Sequence, residues 1–186
     1  MNINHGFLQL EENIETTIYE GLLKLGFEND DSFSIYYDLD LLNHLLETSF
    51  TTNEECLLHL NDFIVFVSNR LKDIKITLER NRFNFTVFQN GIEYINQHNG
   101  DNMFLKDLIT KVKGHVFTLD DILEIFRKYS GDFVCEEIEN SEFQYVIYFK
   151  DNAVDKFKYC FTFDQMGGYY HRLLDFSYWK VMDEES

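Results

Sequence analysis

The stretch EFQYVIYFKDNAVDKFKYCFTFDQMGGYYHRLL, from Glu142 to Leu174, is cut by Asp151-Asn152 and by Met166-Gly167-Gly168 into three runs dominated by Tyr, Phe, Val and Ile. Runs of that composition between turn formers read as β-strands. A fourth, FVCEEI from Phe133, precedes them across the turn group Glu139-Asn140-Ser141. Four short strands joined by tight turns predict an antiparallel meander over residues 132–174. Gly167 and Gly168 are expected at the positive-φ positions of its last hairpin. The DFSYWKVM segment predicts a short closing helix over 175–182.

Upstream the period is helical. Leu10, Ile14, Ile18, Leu22 and Leu25 form one stripe closed by Gly26, predicting an amphipathic helix over 7–25. SFSIYYDLDLLNHLLE reads as a strand from Ser34 to Tyr37, then a helix capped by Asp38 or Asp40 that buries Leu41, Leu42, Leu45 and Leu46. Thr52 and Glu55 carry a capping-box spacing before the apolar run CLLHLNDFIVFVSNRL, which predicts a largely buried helix from about 53 to 71. Alternation returns at Ile74, Ile76, Leu78 and at Phe83, Phe85, Val87, across the polar link Glu79 to Arg82, predicting a β-hairpin over 73–88. Helical period resumes in GIEYINQH and NMFLKDLITKVK, and a further helix opens at Thr118 with Asp121 and ends at Gly131. The expected fold is α+β, in a single domain over 1–186: a helical part over 5–131 carrying the hairpin, then the β-meander. Helices first and sheet last argue against a doubly wound α/β fold.

Composition fits a packed chain of 186 residues: 45% of residues are hydrophobic, with nineteen Phe and eleven Tyr and no proline. Cys56, Cys135 and Cys160 are odd in number and widely spaced, and no apolar run approaches a membrane span, so a cytoplasmic protein with reduced thiols and no membrane contact is expected. The net charge is −17, with residues 1–72 at −10, 73–131 neutral and 132–186 at −7. Such a balance repels nucleic acid and anionic lipid and attracts a basic protein surface.

IYYDLDLLNHLLE (35–47), EFQYVIYFKDNAVDKFKYCFTF (142–163) and YYHRLL (169–174), in this order and at these separations, resemble a family of bacterial cytoplasmic proteins catalogued as domain-of-unknown-function family 3877. Its members share an early "IxxYY…LNHLL" element and a late "FxYxIYFxD…YxYCFxF…YHRF" block; this chain lacks a proline after the Tyr pair and another after the YHR element. The resemblance implies a bacterial, cytoplasmic protein of this size. It implies no activity, ligand or catalytic residue.

Three constellations carry possible chemistry. Cysteine catalysis needs a thiolate, a nearby imidazole and a group to orient it. With residues 164–167 in the turn, Phe163 pairs with Gly168 and Cys160 falls opposite His171; a one-residue slip would put Arg172 there instead. Against this, a cysteine among strand aromatics is ordinarily an inert core thiol. Cys56 and His59 lie three apart on one helix face, with His44 able to approach, as a metal site would require. No second Cys/His pair completes a set, and His59 between leucines also reads as a core histidine bonded to a carbonyl. Tyr169, Tyr170 and Arg172 are of the types that dominate interface hot spots, though the tyrosines could equally cover the core. Gly167-Gly168 lacks the context of a phosphate loop, and no cofactor is expected.

The leading expectation is therefore an acidic, non-enzymatic binding protein that neutralises a basic protein partner, as an immunity or antitoxin-like inhibitor does. One alternative is a nucleic-acid mimic with carboxylates aligned along residues 1–62, which carry thirteen acids and one base. Another is a small hydrolase or transferase built on Cys160, His171 and Arg172.

Overall fold

A computed structural model of the chain describes residues 3–26, 32–114, 116–138, 143–152 and 154–173, with backbone alone for 3–4 and 171–173. Six helices and seven strands give the expected α+β class among these residues, and the contacts gather into two compact units, 1–101 and 102–186.

The first unit is built on α1 (Ile3–Leu25), whose Leu10, Ile14 and Ile18 are fully buried. α2 (Leu39–Leu46) and α3 (Asn53–Val67) pack on it. Asp38 caps α2 by accepting a hydrogen bond from the Leu41 amide, and Leu42, Leu45 and Leu46 are buried while Leu41 stays half-buried. Thr52 caps α3 through the Glu55 amide, but the Glu55 carboxylate accepts from the amide and hydroxyl of Thr51, so the expected reciprocal box is displaced by one residue. α3 stops at Val67, short of the expected 71. The chain then turns through Lys72 in a left-handed conformation, with Leu71 buried beneath it.

The hairpin forms as β2 (Lys75–Glu79) and β3 (Arg82–Val87), joined by Arg80-Asn81 at φ 49° and 65°, as a twisted two-residue connection demands. β1 (Phe33–Tyr37) adds antiparallel to the free side of β3, so the sheet has the order β1-β3-β2. Burial explains the central place of β3: Phe83, Phe85 and Val87 are fully buried, and a core strand needs a ladder partner on both sides. All six described helices precede the meander as expected, and what the structure adds is that β1 joins the expected hairpin to make a three-stranded sheet in the first unit. α4 (Gln89–Asn99) closes the unit against α1.

The second unit holds α5 (Met103–Val112), α6 (Leu119–Tyr129) and the meander β4 (Phe133–Glu137), β5 (Tyr145–Phe149), β6 (Lys158–Asp164) and β7 (Gly167–Leu173), in the order β4-β5-β6-β7. Thr118 and Asp121 form the expected capping box of α6. Phe104 lies edge-on to Phe126, Phe149 and Tyr159 at 5.0, 4.9 and 5.8 Å between ring centroids, joining both helices to one face of the sheet. The link between β5 and β6, expected as a tight turn at Asp151-Asn152, is a longer loop. In it the buried Asp155 carboxylate accepts from the Phe157 amide at 2.8 Å. Residues 139–142 and the expected closing helix at 175–182 lie outside the described residues.

Candidate functional site

The β6–β7 connection is tighter than expected, with Asp164 paired to Gly167 across the two-residue turn Gln165-Met166. Asp164 Oδ1 accepts from the amides of Met166 (2.7 Å) and Gly167 (3.1 Å), which fixes the turn. Of the two glycines expected at positive φ, only Gly167 adopts it, at 145°. Gly168 is glycine for another reason: a Cβ there would run into the ring of Phe117.

This turn, the start of β5 and the segment entering α6 enclose an open groove of about 590 Å³. Phe117 is buried at its base; Phe163 and Tyr145 are half-buried walls, with Phe163 centred 5.8 Å from Phe117 and 6.1 Å from Tyr145. Val116 and Met166, each 82% exposed, form its apolar lip. The described lining contains two carboxylates, Asp121 and Asp164, and no Lys, Arg or His.

The two acids differ. Lys111 lies 2.8 Å from Asp121, and this contact, helped by the Thr118 amide, pushes the carboxyl down to about 2, so its charge is already answered. Asp164 is bonded to backbone amides alone. Among the described residues no cationic side chain pairs with it. An apolar, aromatic-walled groove with an uncompensated carboxylate is suited to an organic cation attached to an apolar body.

The residues expected to carry chemistry are distributed otherwise. The register of β6 and β7 puts Cys160 opposite His171, and Arg172 opposite Tyr159, so the unslipped pairing holds. For His171 and Arg172 only the backbone is described. Cys160 is fully buried, sharing a cluster with Val146, Ile138, Phe143 and Tyr148, and burial pushes its thiol up to about 12 despite Lys158 nearby. A thiol so placed is neither accessible nor ionised near neutral pH. Tyr170 is half-buried with its ring 6.2 Å from Phe161 on the helix-facing side, whereas Tyr169, 43% exposed, alternates to the other face. Of the three expected grips, Tyr169, Tyr170 and Arg172, Tyr170 therefore covers the core.

Cys56 is likewise fully buried, its thiol pushed up to about 12 by burial. His59 is half-buried between the rings of Phe7 (4.9 Å) and Phe50 (5.3 Å), and His44 is half-buried on α2. Among the described residues no three His, Cys, Asp or Glu side chains are grouped to hold a metal ion.

A polar cluster missed by the sequence reading lies in the first unit. Glu11 and Glu15 of α1 are buried, at 5% and 8% exposure. Arg70 donates to both oxygens of Glu11, Nη2 to Oε2 at 2.9 Å, while its guanidinium lies 5.0 Å from the Phe66 ring centroid. Glu15 is left with its carboxyl above the usual range, raised first by burial and then by Glu11, against the opposing pull of His98, Asn99 and Arg70. The spacing Glu11, Glu15 beside Leu10, Ile14 and Ile18 was its signal, since the acids border the apolar stripe.

Together these features describe two α+β units, the second carrying an open aromatic, anionic groove at one end of an antiparallel meander. The chain belongs to the family described as "Domain of unknown function, E. rectale Gene description (DUF3877)", whose model matches residues 7–182. No curated protein and no solved structure matches it. Among the described residues, no helix is long and apolar enough to cross a membrane.

Proposed function

We propose that this is a non-enzymatic acidic binding protein of the bacterial cytoplasm that captures and neutralises a basic protein partner, in the manner of an immunity or antitoxin-like inhibitor. The observation that carries this reading is the groove: aromatic walls, an apolar lip and, beside Asp121 held by Lys111, the carboxylate of Asp164 with no cationic partner among the described residues. The net charge of −17 supports it, because a strongly negative net field speeds encounter with an oppositely charged surface. Against nucleic-acid mimicry, three of the thirteen acids of residues 1–62, Glu11, Glu15 and Glu20, are buried and so withdrawn from any phosphate-like row. Against a hydrolase, Cys160 lacks access.

The test is affinity capture from the source cell's lysate by the full-length protein, washed at rising salt, beside a V116S/M166S variant. Both positions are 82% exposed, so the fold is left intact. The expected result is a near-stoichiometric basic protein, released as salt rises and not retained by the variant. An empty low-salt capture, or equal capture by the variant, contradicts the proposal.

A further inference from the structure

We propose that the groove of the second unit recognises one particular side chain of its partner, an arginine carried on an apolar segment. This rests on the reading of the groove as the site for a basic protein and goes beyond it by naming what is read. The walls are the rings of Tyr145 and Phe163, both half-buried, so part of each ring is accessible. A guanidinium is planar, weakly hydrated and stacks on such rings, whereas an ammonium keeps its hydration shell and loses more on entering an apolar groove. Asp164 supplies the counter-charge, since its partners are the Met166 and Gly167 amides and no cation answers it among the described residues. Asp121 does not fill this role because Lys111 already holds it. Val116 and Met166 offer apolar contact to residues flanking the arginine. The geometry therefore assigns three tasks: stacking to Tyr145 and Phe163, charge to Asp164 and apolar clamping to the lip.

The experiment is a titration of the full-length, 15N-labelled protein with three capped tripeptides, leucine-X-leucine, where X is arginine, lysine or citrulline. The arginine peptide is expected to shift amides of Val116 to Asp121 and Phe163 to Gly167, and to bind about tenfold more tightly than the citrulline peptide. Lysine should fall between them. Asp164→Asn keeps an acceptor for the turn amides and removes the charge, so it should abolish the preference for arginine over citrulline while leaving the spectrum otherwise unchanged. Tyr145→Leu should bring arginine down to lysine. Equal binding of arginine and lysine, both above citrulline, overturns the arginine assignment and leaves the basic-partner reading standing. No shift at the groove with any peptide, or equal binding of arginine and citrulline, overturns both. Retention of the full arginine preference in Asp164→Asn overturns the role given to Asp164.

Discussion

In the first unit two buried carboxylates, Glu11 and Glu15, lie near a single guanidinium, that of Arg70. Arg70 is committed to Glu11, so Glu15 bears the cost of burial and of a like-charged neighbour. A carboxyl whose folded-state pKa is raised holds its proton more tightly in the folded chain. The stability linked to that proton is fully present below the unfolded value of 4.5 and is lost as pH rises through the folded value. Glu15→Gln should therefore raise the thermal midpoint at pH 7 by a few degrees, roughly 2–4 °C, and give no gain at pH 4. Thermal melts of both proteins across that range check the sign; a gain of equal size at both pH values contradicts it. Arg70→Met acts in the opposite direction, stranding the buried Glu11 charge, and should cost about 3 kcal/mol in urea unfolding. Adding Glu15→Gln to Arg70→Met should recover part of that loss, because it removes the second charge.

Elements were legible wherever local chemistry and burial agree, and obscure where a distant partner decides. The capping box at Thr118 and Asp121 formed as read, and so did the stripe of α1 from Leu10 to Leu22, while its last member, Leu25, is 81% exposed at the end of the helix. The strand order of the meander also formed, as did the pairing of Phe163 with Gly168 and of Cys160 with His171, because shortening the turn by the pair Asp164 and Gly167 keeps that register. The pairing of β1 with β3 was not legible, because nothing in Phe33–Tyr37 names a strand fifty residues away. The site was legible only in part. Its charge followed from composition, but the groove is made by Val116, Phe117, Tyr145, Phe163 and Met166, which are far apart in sequence, and the expected grip Tyr170 turned to the core. Gly168 shows the same limit, being required by the Phe117 ring and not by backbone conformation. Gly168→Ala should destabilise the second unit by about 1–3 kcal/mol through displacement of that ring, while Gly131→Ala, whose added Cβ meets nothing within 4 Å, should change little. Hydrogen exchange of β6 and β7 amides in the two variants separates a packing role from a turn role.

At the scale of the whole molecule, both units are acidic: residues 1–101 carry seventeen acids against six bases, and residues 102–186 sixteen against ten. The described exposed aromatic groove is in the less acidic unit. The account thus separates two roles, a long-range field from the entire chain and a local grip in the groove. Net charge governs the rate of encounter and fades with salt, whereas the groove governs how long a partner stays. The measurement that tests this most directly is hydrogen exchange of the full-length protein alone and bound to the basic protein it captures. The account predicts slowed exchange in residues 116–121 and 163–167, persisting at a salt concentration that has already slowed association. Unchanged exchange in those two segments, with protection elsewhere in the chain, would contradict it.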